Sequence, residues 1–177
     1  MKKALIMAIA GIALSVASSY ADGYIFMENY SFAFVGGGVT PVYSAVTYTP
    51  GGNYVSEASG FKADLLYSLD GGVTYSLASG SQTPFYPGST DSGSPTTDGA
   101  GTFMLSPEVV IPGYTSGSVT FIVRVYNGTT YATSTVAGES APFTISSLQT
   151  SPLVPAGDIL AISGTTATGL QPFSLSP

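Results

Sequence analysis

The feature that most constrains the fold is a series of short β-forming runs separated by clusters of Gly, Pro, Ser, Thr and Asn. After residue 21 no stretch shows a helical period of useful length. Runs rich in Val, Ile, Tyr, Phe and Thr favour strands, and the clusters between them favour turns. We therefore expect an all-β fold, a single antiparallel sandwich of immunoglobulin-like or Greek-key type with about seven to nine strands.

The strands are expected to belong to one domain over residues 22–147. Residues 148–177 are expected to begin with a linker, because prolines and a glycine interrupt regular pairing there. The C-terminal segment that follows could supply a final strand of the sandwich. The expected strands are residues 23–35, 42–49, 61–69, 73–78, 102–111, 118–126, 129–136 and 141–147, with a last short one within 158–175.

The clearest strand is "SVTFIVRVYN", in which every second residue from Val119 is apolar. Asn and Gly at 127–128 favour a two-residue hairpin turn, which would pair Tyr126 with Thr129. Arg124 would then lie opposite Tyr131 on the outer face, where a cation–π contact contributes about 0.5–1 kcal/mol. The apolar face of this strand is predicted to consist of Val119, Phe121, Val123 and Val125.

The stretch "LLYSLDGGVTYSLASG", residues 65–80, is predicted to form a second hairpin. A three-residue loop from Asp70 to Gly72 would pair Leu69 with Val73 and keep the apolar residues of both strands on one face. Asp70 is therefore interpreted as a turn residue rather than as a functional carboxylate.

The first 21 residues are typical of an export signal. Two lysines precede an apolar run at 4–17, and Ser19 and Ala21 occupy the small-residue positions before a cut that would leave Asp22 first. The alternative is an uncleaved anchor, but the apolar run is shorter than the roughly 20 residues that a spanning helix needs. We expect a secreted bacterial protein of the extracellular space, cell surface or periplasm, with 156 of its 177 residues in the mature chain.

The charge of the mature chain excludes several partners. Its only basic side chains are Lys62 and Arg124, and it has ten acidic ones, so its side-chain net charge is −8. Nucleic-acid binding needs clustered cations, so that partner is excluded, and anionic membrane surfaces are disfavoured for the same reason. We expect no nucleic-acid partner, and no membrane partner once the signal is removed.

The chain contains no cysteine and no histidine. Disulfides, thiolate metal sites, imidazole ligands and Ser-His-Asp catalysis are therefore impossible. No cofactor is expected and no metal site is assigned. Asp91 and Asp98 lie in the long irregular segment 79–101, which is expected to be a mobile surface loop. They could supply oxygens to calcium, although the segment lacks the alternating acids of a strong calcium loop.

Two kinds of binding or catalytic site remain open. Exposed tyrosines can stack on sugar rings, and the candidate platform is Arg124, Tyr126 and Tyr131 on the outer face. A glycosidase-like carboxylate pair is the common enzymatic arrangement that the composition permits, but no candidate acid lies in a recognisable motif, so we expect no enzyme. The candidate acids are Glu28, Glu57, Asp64, Glu108 and Glu139.

Three segments carry a family resemblance: "ASGFKADLLYSLDGG" (58–72), "GSVTFIVRVYN" (117–127) and "ATGLQPFSLSP" (167–177). They resemble the single β-sandwich domain of secreted bacterial proteins with a PEP-CTERM sorting tail, which an exosortase-type system processes. The chain stops at Pro177 without that tail, as a tailless member or a trimmed sequence would. The resemblance implies export and a place at the cell surface or in the extracellular matrix, and it implies no catalytic residue.

We therefore expect a secreted, non-catalytic structural or adhesive module, with a carbohydrate-binding module as the alternative and a glycosidase-like enzyme third. The expected partners are an extracellular polysaccharide, a matrix protein or a second copy of the chain. Self-association is expected at a sheet edge, because Lys62 is the only lysine of the mature chain and edge protection otherwise depends on residues such as Pro107.

Overall fold

The computed structural model of the protein describes residues 22–35, 38–48, 52–163 and 166–175. The expected export signal, which ends at Ala21, lies outside the described residues. The described chain forms short strands and one 3-10 helical turn at Tyr131–Thr133, which confirms the all-β class. The strands are β1 (Gly23–Ile25), β2 (Tyr30–Val35), β3 (Gly38–Tyr43), β4 (Val46–Thr47), β5 (Lys62–Ser68), β6 (Ser76–Leu77), β7 (Thr83–Pro84), β8 (Val109–Ile111), β9 (Val119–Tyr126), β10 (Ala137–Glu139), β11 (Phe143–Ile145), β12 (Ile162–Ser163), β13 (Thr166–Ala167) and β14 (Phe173–Ser174).

The strands β5 and β9 form the centre of the largest sheet. They pair antiparallel over the whole length of β5, from Lys62 opposite Tyr126 to Ser68 opposite Thr120. β10 and β11 pair with the edge of β9 that lies away from β5, and β6 and β7 pair with the edge of β5 that lies away from β9. The predicted apolar face of β9 is confirmed, because its alternate residues are buried in the core: Val119, Phe121, Val123 and Val125.

The predicted hairpin at 127–136 is wrong. Tyr126 pairs with Ala137 instead of Thr129, and the intervening residues form a loop that contains the 3-10 turn. Neither residue of the 127–128 pair has the positive φ that a two-residue hairpin turn requires. The Asn127 side chain closes the larger loop instead, because its Oδ1 accepts a hydrogen bond from the Val136 N–H at 3.1 Å.

The second hairpin is shifted by one residue from the prediction. Leu66 lies opposite Leu77, so Leu69 and Val73 fall in an exposed loop rather than opposite each other. Alternation did not define the register because β5 is a central strand, with Leu65 and Leu66 both buried.

Several other strand predictions are corrected in the same way. Of the strand expected at 102–111, only the last three residues pair as β8, and the strand expected at 73–78 shrinks to β6. The strand expected at 23–35 is divided into β1 and β2, and the one expected at 42–49 is replaced by the end of β3 and by β4. β2 and β3 pair with each other as a separate two-stranded sheet.

The segment 79–101 was expected to lie on the surface, and many of its residues are exposed, but a few of its side chains anchor it to the core. Phe85 is fully buried, and its ring meets that of Phe103 edge-on, with centroids 5.6 Å apart. Ala100 is also fully buried. The single phenylalanine supplies the apolar area that the surrounding serines, glycines and threonines lack.

The C-terminal segment runs beside β1. Tyr24 donates its N–H to the Gln149 carbonyl, and Phe26 donates to the Gly157 carbonyl and accepts from the Ile159 N–H. β14 pairs parallel with β4. Residues after position 147 also enter the core cluster that contains β5 and β9, namely Ile159, Leu170 and Leu175.

The buried side chain of Asn29 connects β2 and β3 to the core. Its Nδ2 donates hydrogen bonds to the carbonyls of Ser44 and Gly101, both at 2.9 Å. Its Oδ1 accepts the Phe103 N–H at 2.6 Å. Asn29 precedes β2 directly and Ser44 follows β3 directly, so this amide fixes the base of the two-stranded sheet.

Candidate functional site

A groove of about 380 Å³ opens beside β5 and β9, and we call it the Tyr131 groove. Its polar lining comes from the two central strands, from the segment before β7 and from the 3-10 turn. The groove contains all three residues of the predicted ligand platform. The lining residues with functional groups are Asp64, Gln82, Arg124, Tyr126, Thr130 and Tyr131.

Tyr126 lies at the floor of the groove rather than on an exposed face. Its side chain is 1% exposed, so its expected role as an open stacking surface is wrong. Its hydroxyl donates to Asp64 Oδ2 at 2.8 Å and accepts from Gln82 Nε2 at 2.6 Å. Burial, followed by the hydrogen bond to Asp64, raises the pKa of Tyr126 above its ordinary value, so the phenol remains a proton donor.

Arg124 and Tyr131 form the predicted cation–π contact. The Arg124 Cζ atom lies 4.6 Å from the centroid of the Tyr131 ring. The contact arises although the hairpin register was wrong, because the 3-10 turn folds Tyr131 back towards β9. Arg124 Nε also donates to Glu139 Oε1 at 2.7 Å. One face of the Tyr131 ring is therefore covered by the guanidinium.

Asp91 and Asp98 each organise a loop. Asp91 accepts hydrogen bonds from the hydroxyls of Ser56 and Ser59 at 2.5 Å. Asp98 accepts from three backbone N–H groups, which belong to residues 90, 94 and 100, and these bonds lower its pKa. Among the described residues, no group of three or more acidic side chains is placed to hold a metal ion.

Asp70 closes the loop between β5 and β6. Its carboxylate accepts the hydroxyls of Ser68 and Thr74, both at 2.6 Å, and the N–H groups of Val73 and Thr74. The side-chain hydrogen bonds from Ser68 and Thr74 hold its pKa well below the ordinary value. These contacts fit the interpretation of Asp70 as a turn residue.

Glu28 and Asp158 form a half-buried pair of carboxyl groups next to β1. Burial and the nearby negative charge of Asp158 raise the pKa of Glu28 to about 7. Burial also raises the pKa of Asp158, although its Oδ1 accepts the Ala161 N–H at 2.8 Å. Neither residue lines the Tyr131 groove.

The other candidate catalytic acids each have a partner within the chain. Glu57 accepts the Gly88 N–H at 2.6 Å, and Glu108 accepts the Ala156 N–H at 3.1 Å. Asp64 is bound to Tyr126 and Glu139 to Arg124, as described above.

The sheet of β2 and β3 exposes an aromatic face, and we call this sheet the aromatic ribbon. Tyr30 pairs with Tyr43 and Phe32 pairs with Pro41, so all four point to one side. Phe32 is 50% exposed, Val39 on the same side is 57% exposed, and Tyr43 is 39% exposed. Ala33 and Val42, on the opposite side, are buried. Phe32, Val39 and Tyr43 thus face solvent, whereas Ala33 and Val42 face the core.

The aromatic ribbon was not predicted, although the local sequence contains part of the pattern that indicates it. Tyr30 and Phe32 alternate with smaller residues, and Val39, Pro41 and Tyr43 repeat that period after the glycines at 36–38. The period predicts which residues share a face, but only the packed structure places that face outside. In the Tyr131 groove, no local sequence pattern indicates that Asp64 and Gln82 lie together, because the contact between their regions depends on the pairing of β5 with β7.

No family model, curated protein or solved structure matches this chain. Among the described residues, the aromatic ribbon presents exposed aromatic side chains and the Tyr131 groove presents convergent polar groups.

Proposed function

We propose that the protein is an exported, non-catalytic structural or adhesive module of the bacterial cell surface or extracellular matrix. In this proposal its strands form a single antiparallel sandwich with about seven to nine main strands. The N-terminal signal pattern and the resemblance to secreted proteins of the PEP-CTERM type support the location.

The aromatic ribbon is the observation that carries the proposal. Contiguous exposed apolar patches on soluble proteins often mark contacts with other molecules. Here three large side chains on one side of a two-stranded sheet, Phe32, Val39 and Tyr43, are each more than a third exposed. The base of the ribbon is tied to the core by Asn29, so the ribbon presents this face from a fixed position.

The engagement of the acidic side chains supports a non-catalytic role. Glycoside hydrolysis needs two carboxyl groups that face each other across a space for substrate. Asp64, Glu57 and Glu139 instead hold structural hydrogen bonds or an ion pair. The carboxyl groups of Glu28 and Asp158 lie next to the backbone of β1 and of the C-terminal segment.

The proposal is tested by export and by binding to matrix material. Mass spectrometry of the secreted protein should show Asp22 as the first residue. The mature chain should bind matrix prepared from the producing cells, and Phe32→Ser should weaken that binding on the order of tenfold. Leu153→Ser is the control, because Leu153 is 92% exposed and lies outside the ribbon. Retention of the protein in the cytoplasm, or equal binding by both variants, would contradict the proposal.

Carbohydrate binding at the Tyr131 groove is the second candidate. It is favoured because Asp64, Gln82 and Arg124 line the same groove as Tyr131. The guanidinium of Arg124 covers one face of the Tyr131 ring and leaves the other face free of it. Carboxylate, amide and guanidinium groups can bond sugar hydroxyls while a tyrosine ring packs on the pyranose.

A glycan array with the mature chain tests this candidate. Tyr131→Ala should abolish any glycan signal, whereas Tyr75→Ala, which changes a tyrosine outside the groove, should leave it intact. Loss of signal with Phe32→Ser alone would assign glycan binding to the ribbon instead.

A further inference from the structure

We propose that the exposed face of the aromatic ribbon is a homotypic interface, on which a second copy of this chain packs face to face. This inference rests on the proposed structural role and names the partner of the ribbon. It places self-association on a sheet face, whereas the sequence alone indicated a sheet edge.

The distribution of charge favours a second copy as the partner. Residues 29–56 contain no Asp, Glu, Lys or Arg, and the ribbon lies within this uncharged region. Outside it the mature chain carries ten acidic side chains and two basic ones, so two copies repel each other over most of their surfaces. In space, Asp98 lies beside the ribbon, because it lines a pocket together with Tyr30. Its carboxylate already accepts three backbone N–H groups, so two copies can meet at the ribbon without burying an unpaired charge. A strongly charged partner would find no complementary charge on this face.

The orientation of the rings favours a protein partner over a sugar. Tyr30 and Tyr43 are nearly parallel, at 18°, with centroids 6.5 Å apart. Phe32 meets Tyr30 at 79° with centroids 5.2 Å apart. The ring of Tyr30 is thus flanked by two aromatic neighbours, whereas a sugar platform needs ring faces that are open to solvent.

The ribbon face is complementary to itself. The Tyr30–Tyr43 pair occupies one end, the Phe32–Pro41 pair lies in the middle, and Val39 occupies the other end. A two-fold axis through the middle pair would place the tyrosines of one copy over Val39 of the other. Such an isologous contact closes on itself and gives a dimer rather than a filament.

Sedimentation equilibrium of the mature chain, residues 22–177, tests the inference. The wild-type chain should form a dimer with increasing concentration, and more strongly at high salt, because salt screens the repulsion between acidic surfaces. Phe32→Lys should raise the dimer dissociation constant on the order of tenfold or more, as loss of a central aromatic contact does. Leu153→Lys makes the same change of charge at a site that is 92% exposed, and it should dimerise like the wild type.

Circular dichroism establishes that each variant is folded, and Val39→Lys provides a second ribbon variant if Phe32→Lys does not fold. A wild-type chain that stays monomeric at high concentration in both salts overturns the inference. So does an equal effect of the ribbon and control variants, or growth into open-ended oligomers. A monomer that still binds matrix material would contradict the homotypic interface and leave the proposed function intact.

Discussion

Replacing Asn29 should destabilise the protein strongly, because one buried amide connects three separated parts of the chain. In Asn29→Ala, the Phe103 N–H and the Ser44 carbonyl lose the partners that Asn29 supplies. The Gly101 carbonyl keeps one partner, since it also accepts the Val46 N–H at 2.9 Å. The loss therefore amounts to two unpaired buried groups and one weakened acceptor.

The magnitude follows from these contacts. A buried backbone group without a partner costs about 1–3 kcal/mol, and the net loss of a hydrogen bond at an acceptor that keeps another is about 0.5–1.5 kcal/mol. We expect Asn29→Ala to lower the free energy of unfolding by about 2.5–7.5 kcal/mol. Domains are commonly stable by about 5–15 kcal/mol, so the substitution removes a large part of the stability of the domain.

Urea unfolding of the mature chain, followed by far-ultraviolet circular dichroism, measures this change. Asn53→Ala is the matched control, because Asn53 is exposed, and it should change stability by less than about 0.5 kcal/mol. Asn29→Asp keeps the acceptor for Phe103 but places a carboxylate against two carbonyls. Burial would raise the pKa of the new carboxyl group, so the destabilisation should be smaller at about pH 4 than at about pH 7. Equal stability of Asn29→Ala and Asn53→Ala would refute the structural role assigned to this amide.

Three further predictions concern ionisable side chains. Because the pKa of Glu28 is about 7 in the folded chain, folding should be favoured at low pH and lose stability as the pH rises through about 7. After discounting for partial exposure, the loss is about 1 kcal/mol, and a pH series of urea midpoints should become flatter in Glu28→Gln. Asp70→Ala should lower the thermal midpoint more than Asp70→Asn, which keeps one acceptor oxygen; an equal shift would contradict the closure of the loop by that carboxylate. Tyr126→Phe leaves Asp64 without its buried donor and should cost about 1–3 kcal/mol in urea unfolding, whereas an unchanged midpoint would show that the hydrogen bond adds no net stability.

The sequence predicted those features that depend on neighbouring residues. The alternation in β9 identified its buried face. The contact between Arg124 and Tyr131 was also predicted, but from a hairpin register that is wrong. The turn role of Asp70 fits its observed contacts, since a carboxylate that precedes two glycines can accept N–H groups a few residues along the chain.

Features that depend on distant parts of the chain could not be predicted in the same way. Asn29 binds Gly101 and Phe103, more than 70 residues away, and no local pattern indicates such contacts. The register of β5 was wrong because both faces of a central strand are buried, so alternation carries little information there. The Asn-Gly pair at 127–128 predicted a two-residue hairpin turn, but the Asn127 side chain closes a longer loop instead. The exposure of the aromatic ribbon is decided by which elements pack beside it, and a period of two cannot show which side faces the core.

Cross-linking on intact producing cells tests the central claim most directly, namely that two copies of the chain meet at the aromatic ribbon outside the cell. The chain has no cysteine, so Pro41→Cys introduces a single thiol in the middle of the ribbon face, and Leu153→Cys introduces one elsewhere on the surface. A membrane-impermeant bifunctional maleimide should convert the Pro41→Cys protein to a species of twice its mass and leave Leu153→Cys largely uncoupled. The absence of coupling at Pro41→Cys, or equal coupling of the two variants, would contradict the account.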